Sequence, residues 1–227
     1  MYLDILRLFL RYIKPAPILS RHSVRCPGMM KHVYLSLVAL LVGPSVVRSV
    51  PDFVKEGSCP IVNEAVLWQQ QQPNHWQMDG KWYQHSRTPN PFDPFSRCMQ
   101  WRLEYIGGAF RTASNGVDAT GAPIRTLGSL FYDPQGPRLL LTHEGAPPAP
   151  LVVLATDYQN YACFYACKDV QKRFYADFGF IFSRTPKMDP RHVKVCQEAF
   201  AKIGVDSSTF VQTPQGDNCP YEETQAI

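Results

Sequence analysis

Eight short runs typical of β-strands lie between residues 81 and 184, and they constrain the fold more than any other feature of the sequence. Turn-forming residues separate the runs at roughly the 8–12-residue spacing that is typical of an all-β sandwich or barrel. The predicted strands are Lys81–Arg87, Cys98–Ile106, Ala109–Ser114, Ile124–Tyr132, Arg138–His143, Leu151–Thr156, Tyr161–Cys167 and Phe174–Arg184. The predicted turns are Pro89-Asn90-Pro91, Gly107-Gly108, Asn115-Gly116, Asp133-Pro134, Gly145–Pro150 and Asp157.

One stretch after these runs changes to a helical period. Asp189 is a suitable N-cap, Pro190 suits the first helical position, and Gly204 lies just past the expected end. Apolar side chains recur in this stretch at intervals of three and four, at Val193, Cys196, Phe200 and Ile203. Eight strand-like runs followed by one amphipathic helical stretch predict an all-β fold class: an eight-stranded antiparallel up-and-down β-barrel with one C-terminal α-helix packed outside. The interior of such a barrel is just wide enough for one small ligand.

The first 49 residues differ from the remainder in charge and hydropathy. They hold seven of the 23 Lys and Arg residues but only one of the 19 acidic residues, so the remainder is slightly acidic and nucleic-acid binding is not expected. A basic start at residues 30–32, an apolar run over 33–42 and a small residue at Ser49 are typical of a secretory signal peptide. A membrane anchor is the alternative, but the run is about half of the roughly 20 residues that a span needs. We therefore expect an upstream extension over 1–29, a signal peptide over 30–49 and a folded, secreted domain over 50–227.

The cysteine count agrees with secretion. Seven cysteines are present, and without Cys26 the domain keeps six. An even number in a secreted chain predicts disulfides, for which fifteen pairings are open. Metal binding is the competing interpretation, but the sequence contains no CxxC, HxH or HExxH motif, so we expect no metal.

The alternation of side chains along the strands predicts which of them face the interior. An aromatic and apolar set is expected to face inward and to line the cavity: Met99, Trp101, Leu103, Tyr105, Phe164, Phe178 and Phe180. On the seventh strand, Phe164 faces inward together with the small Ala162 and Ala166, which would leave space, if Cys163 or Cys167 forms a bridge to the outer helix or the N-terminal segment. Gln84 and Ser86 share the parity of Trp82 and are expected to supply hydrogen bonds deep in the barrel. The alternative is that all of these residues form an ordinary core, with the polar ones satisfied by backbone or water.

Three motifs resemble the lipocalin family. Gly80-Lys81-Trp82 looks like the family's Gly-x-Trp on the first strand, Thr156-Asp157-Tyr158 is similar to its Thr-Asp-Tyr turn, and Arg184 resembles the Arg that packs across that Trp. The physical chemistry agrees, since a guanidinium over an indole ring is a favourable contact and both residues have inward parity.

The resemblance is strongest to the crustacyanins, the carotenoid-binding group of that family, and it runs from about Val50 to the C-terminus. It is carried by segments such as Val50-Pro51-Asp52-Phe53, residues 156–167 and residues 215–221. It implies an astaxanthin-like carotenoid in the barrel, whose absorption the protein shifts to produce coloration, and a second lipocalin subunit as partner. It also implies three disulfides: Cys59–Cys167, Cys98–Cys219 and Cys163–Cys196.

The loop from Thr88 to Phe95 is expected to cover a protruding ligand end, with Phe92 and Phe95 as exposed aromatic contacts for the partner. The alternative is a simple connection between strands without a role in binding.

Other functions remain open at this point. The same fold can carry biliverdin, a retinoid or a fatty acid, as in apolipoprotein D-like lipocalins, or act as a partner-binding module with an empty barrel. An enzyme is not expected, because the sequence has no Gly-x-Ser-x-Gly, P-loop or dinucleotide-binding pattern and the implied bridges leave no free thiol in the domain.

Overall fold

The structure is a computed structural model, and it describes residues 51–62, 73–133, 138–170 and 172–221. The expected upstream extension and signal peptide lie outside the described residues. Eight strands carry the fold: β2 Gly80–Arg87, β3 Arg97–Ile106, β4 Ala109–Val117, β5 Pro123–Tyr132, β6 Leu139–His143, β7 Ala149–Thr156, β8 Tyr161–Val170 and β9 Phe174–Ser183. Two short strands flank them, β1 Val54–Glu56 and β10 Val211–Gln212. Within the described ranges the helices are α1, Pro190–Lys202, and two 3-10 turns, Pro73–Met78 and Ser207–Thr209.

The sheet closes on itself and forms a barrel. Strands β2 to β9 are hydrogen-bonded in sequence order, every pairing is antiparallel, and β9 also pairs with β2. Each strand therefore pairs with its neighbours in the chain, which is up-and-down topology. The predicted fold class is confirmed, while β1 on β9 and β10 on β2 are additions that the sequence analysis did not foresee.

Two predicted turns belong to strands instead. Asn115 and Gly116 lie within β4, and the chain reverses later, around an Asp118 carboxylate that accepts bonds from Thr120 and Ala122. A side chain at Gly116 would place its Cβ 2.6 Å from a ring carbon of Phe95, so this glycine makes room for packing. The second case is Ala149-Pro150, which opens β7.

The described residues form two apolar cores. One fills the barrel and includes Trp82, Leu103, Phe110 and Phe164. The other lies outside the barrel, between the wall and α1. Helix α1 begins as predicted, because the Asp189 side chain accepts a hydrogen bond from the backbone of Arg191 and Pro190 follows at once.

Three disulfides fix segments to the barrel wall. They are Cys59–Cys167, Cys98–Cys219 and Cys163–Cys196, the pairings that the resemblance implies. The third joins β8 to α1, with both cysteines fully buried. The C-terminal segment that the second bridge holds also joins the sheet, because β10 pairs with the end of β2.

Candidate ligand-binding site

The closed end of the barrel is built around Trp82 and Arg184. Trp82 is fully buried and donates its indole N–H to the backbone oxygen of Met78. The guanidinium of Arg184 lies over the indole ring and donates to four backbone oxygens. These acceptors belong to the segments that converge on this end: Gln77, Asp79, Lys81 and Tyr158.

The Thr156-Asp157-Tyr158 turn completes this end. The Asp157 carboxylate accepts backbone bonds from residues 159–161, and the Thr156 hydroxyl donates to the Tyr161 oxygen while accepting from the Tyr158 N–H. Tyr158 adopts a positive φ of 64° at the corner. The turn therefore places the Tyr158 carbonyl where Arg184 binds it.

A cavity of about 70 Å³ lies above this plug, toward the other end of the barrel. Its apolar lining consists of Met99, Trp101, Leu141, Leu151, Phe164, Phe180 and Phe182. Its polar lining on the strands consists of Gln84, Thr112, Ser114, Thr126 and His143. Trp101 makes edge contacts with Phe164 and lies 5.4 Å from the Phe182 ring, so the rings form one continuous aromatic wall.

The loop between β2 and β3 covers the cavity. Asn90, Phe92, Asp93, Pro94 and Phe95 all contribute to the lining. The Asp93 carboxylate fixes the loop, since it accepts from Arg87 Nε at 2.6 Å, from Gln84 Nε2 at 3.2 Å and from the Phe95 backbone. Asp93 and Arg87 expose only 8% and 13% of their side chains, so this ion pair is largely shielded from water.

Aromatic packing holds the same loop from above. The rings of Phe53, Phe92 and Phe178 lie 5.9–6.3 Å apart, so they connect the N-terminal segment, the loop and β9. The expectation that Phe95 is exposed was wrong: it is 4% exposed and packs against Gly116. Phe92 is half-buried.

The chain is similar in sequence to proteins of a known family. The chain is 39% identical over 179 residues to the crustacyanin C1 subunit of Homarus gammarus, covering 78% of this chain and 99% of the relative. The model of the lipocalin / cytosolic fatty-acid binding protein family matches residues 131–217. The chain belongs to the lipocalin family.

Two further relatives agree with this assignment. The crystal structure of lobster apocrustacyanin A1 superposes with a TM-score of 0.72 at 39% identity, covering 76% of this lipocalin and 97% of that chain. Mouse apolipoprotein D is 38% identical over 145 residues, which is 62% of this lipocalin and 76% of the relative. Family and apolar cavity together support binding of a small hydrophobic ligand.

The structure brings five of the nine residues predicted to bind ligand to the cavity: Gln84, Met99, Trp101, Phe164 and Phe180. Leu103 and Tyr105 lie further down β3, where Leu103 pairs with Gly80 and Tyr105 with Phe110 near the closed end. Phe178 lies at the mouth, against Phe53 and Phe92.

The inward prediction for Ser86 was wrong because β2 contains a bulge. Gln84 pairs with Phe182 of the interior, but Ser86 pairs with Ile181, which belongs to the core outside the barrel. Opposite residues share a face, and an extra residue reverses the alternation. Ser86 is therefore buried beneath the outer layer of the lipocalin, and Arg87 takes the inward direction instead.

The sequence analysis missed the contribution of β4, β5 and β6 to the site. The cavity lining includes Thr112 and Ser114 of β4, Thr126 of β5 and His143 of β6. The alternation of side chains along these strands could have indicated that these residues face inward. They are polar, however, so the sequence gave no reason to predict them as contacts of an apolar ligand.

Two negative findings apply to the described parts of the chain. No three His, Cys, Asp or Glu side chains lie close enough together there to hold a metal ion. None of the helices described for this lipocalin has the length and apolar character needed to cross a membrane.

Proposed function

We propose that this lipocalin is secreted, binds an astaxanthin-like carotenoid in its barrel and produces coloration by shifting the absorption of that pigment. The observation that carries the proposal is the aromatic-walled cavity with a few polar groups, in a chain that is 39% identical to a crustacyanin subunit along nearly all of that relative.

The chemistry of the cavity suits a polyene with an oxygenated ring. Trp101, Phe164 and Phe180 offer ring faces and edges to an extended apolar chain, and Met99 adds a polarisable contact. Gln84 is 1% exposed and supplies a hydrogen-bonding group on the same wall. A donor at a ring keto oxygen would polarise the conjugated system, which is the proposed origin of the spectral shift.

The size of the cavity requires the covering loop to move. A space of about 70 Å³ is well below the roughly 300–1,000 Å³ of most small-molecule pockets. The loop residues from Asn90 to Phe95 occupy the mouth, so their displacement lengthens the space along the barrel axis. The position of this loop over the mouth is therefore the closed form of the proposed site.

The length of the ligand supports a partner. Apart from the five-residue β6, the barrel strands have eight to ten residues. At about 3.3 Å per residue and a tilt of roughly 40° they give a barrel about 20–25 Å deep, which is shorter than an extended carotenoid with two end rings. One end must protrude, and a second lipocalin subunit over the mouth would shield it. The half-buried Phe92 is the aromatic contact proposed for that partner, whereas the buried Phe95 anchors the loop.

Secretion is part of the proposal. The basic and apolar pattern of residues 30–49 supports a cleaved signal peptide, and three disulfides are expected of a protein that folds in an oxidising compartment.

The test is a visible spectrum. The domain from Val50 onward, expressed so that disulfides form, is titrated with astaxanthin and separately with biliverdin while absorbance and tryptophan fluorescence are followed. Saturable astaxanthin binding with a shift to longer wavelength is expected, and a Trp101→Leu variant should weaken it. Absence of saturable astaxanthin binding would refute the carotenoid assignment.

A second candidate keeps the fold and changes the ligand to biliverdin, a retinoid or a fatty acid. The 38% identity to mouse apolipoprotein D over 145 residues favours it. Binding of one of these ligands without binding of astaxanthin would establish this candidate.

A further inference from the structure

The barrel wall parts between β2 and β3 near the mouth. The two strands pair only from Gly80 to Tyr83 on the β2 side. Beyond that point β2 pairs with β10 instead, at Ser86 and Arg87. The C-terminal segment, residues 211–221, thus takes the place beside β2 that β3 has left.

This segment is fixed to both parted strands. On the β3 side, the Cys98 N–H donates to the Pro214 oxygen at 2.8 Å and Cys98 is bonded to Cys219. The Gln215 amide donates to the backbone oxygens of Gln84 and Met99, which bridges the two strands. The segment therefore fills the gap between β2 and β3 in the barrel wall, behind the side chains that line the cavity.

Thr213 is the residue of this segment that reaches the cavity wall from behind. Its backbone N–H binds the His85 oxygen, and its side chain is 5% exposed although both chain neighbours are exposed. The Thr213 hydroxyl donates to Gln84 Oε1 at 2.7 Å. The two residues are 129 positions apart in sequence.

The neighbours of Gln84 determine which way its amide points. The Asp93 carboxylate is held by Arg87 at 2.6 Å and only accepts hydrogen bonds, so the amide nitrogen must face it and the amide oxygen must face Thr213. The reverse orientation would bring an amide oxygen against a carboxylate. The nitrogen carries two hydrogens, and Asp93 is the acceptor that the described residues provide for one of them.

We infer that Thr213 is a positioning residue that makes Gln84 a hydrogen-bond donor toward the cavity, and that the site consequently selects ligands with an acceptor oxygen. The inference rests on the proposed function, since it concerns a carotenoid in the same cavity. Without the Thr213 hydroxyl, the Gln84 oxygen loses its hydrogen-bond partner, so the amide is held only through its nitrogen on Asp93 and is positioned less firmly toward the cavity.

The experiment compares Thr213→Val with Thr213→Ser, and uses Thr142→Val on the outer face of β6 as the matched control. Two probes are titrated: canthaxanthin, which has ring keto oxygens and no hydroxyl, and β-carotene, which has the same polyene and no oxygen. The ratio of their dissociation constants is the readout, together with the position of the bound canthaxanthin band. Hydrogen exchange of the Gln84 side-chain amide, followed by NMR without ligand, gives a second readout.

Wild type is expected to prefer canthaxanthin, and Thr213→Val should reduce that preference by roughly two- to tenfold, the effect of one hydrogen bond. Thr213→Ser should restore the ratio and the band position, and Thr142→Val should leave both unchanged. An unchanged ratio and slow amide exchange in Thr213→Val would overturn the inference while the proposed function stands. If wild type binds neither carotenoid, the proposed function and the selectivity both fail, and amide exchange still decides whether Thr213 positions Gln84.

Discussion

The guanidinium of Arg184 lies 3.8 Å from the centre of the Trp82 ring, and this contact joins the first and last strands of the barrel at its closed end. Burial lowers the pKa of Arg184 to about 10, so the side chain remains charged at neutral pH. The charge interacts with the face of the indole ring, while the N–H groups bind four backbone oxygens of converging segments. Arg184 thereby joins the segments that close the barrel below the cavity.

Replacing Arg184 by lysine is expected to lower the free energy of unfolding by about 2–4 kcal/mol. A lysine keeps the charge but cannot satisfy four divergent backbone oxygens, three of which are in partly buried hydrogen bonds, and acceptors shielded from water that lose their donors are costly. Urea unfolding of the disulfide-intact protein measures the change. Arg191→Lys, at a position 85% exposed beside Asp189, should change it by less than about 1 kcal/mol. Equal losses in both variants would contradict the role of Arg184.

Gly179→Ala is expected to destabilise the fold by about 1–3 kcal/mol through overpacking. A Cβ at this position would lie 2.3 Å from a ring carbon of Phe210 and 2.9 Å from one of Phe200, on the outer face of β9. Thermal unfolding measures the loss. In the Phe210→Leu background the same glycine change should cost clearly less, because the nearest ring atoms are gone. Additive losses would show that the close approach to Phe210 is not the cause.

Asp93→Asn is expected to release the loop that covers the cavity. The substitution keeps the shape but removes the charge opposite the largely buried Arg87, which destabilises the closed position of the loop. Hydrogen exchange of residues 90–95 should become faster, and ligand association should accelerate by about tenfold, which corresponds to ~1.4 kcal/mol. Asp118→Asn, in an exposed turn at the same end of the barrel, serves as control. Unchanged protection of the loop in Asp93→Asn would refute this function of the ion pair.

The stability of the protein is expected to fall as the pH rises from about 10 to about 12. Burial, together with the nearby Tyr105 and Tyr158, raises the pKa of Tyr132 from 10.0 to about 12. The unfolded chain then loses the phenolic proton first, so the folded state binds more protons in this window and stability decreases with pH. Burial also raises the pKa of Tyr158, Tyr161 and Tyr165. Urea unfolding at several pH values measures the slope, which Tyr132→Phe should reduce; an equal slope in that variant would exclude Tyr132 as a contributor.

Much of the fold could be predicted from the sequence because its signals are local. The alternation in Met99, Trp101 and Leu103 gave the correct inward face of β3, and Asp189 with Pro190 gave the correct start of α1. The Gly-x-Trp motif and Arg184 correctly predicted the packing of Arg184 on Trp82 at the closed end of the barrel. Asn115-Gly116 misled the prediction, because a glycine that makes room for Phe95 has the same local signature as one that makes a turn.

The candidate site was less accessible to the same reasoning. The β2 bulge turns Ser86 outward and Arg87 inward, and no local pattern reveals one extra residue in a strand. Thr213, Asp93 and His143 reach the cavity region from the C-terminal segment, a loop and β6, so their roles depend on how distant segments meet.

By itself, the sequence determined the order of the eight barrel strands, the faces of most of them and the terminal helix. These properties depend on side-chain alternation, capping and turn chemistry within a few residues. The tertiary structure alone decided where β2 leaves β3, what fills that gap, and that the Thr213 hydroxyl binds the Gln84 amide across 129 positions. Such contacts exist only once the barrel has closed, because closure sets the register between strands and brings together groups that no local interaction connects.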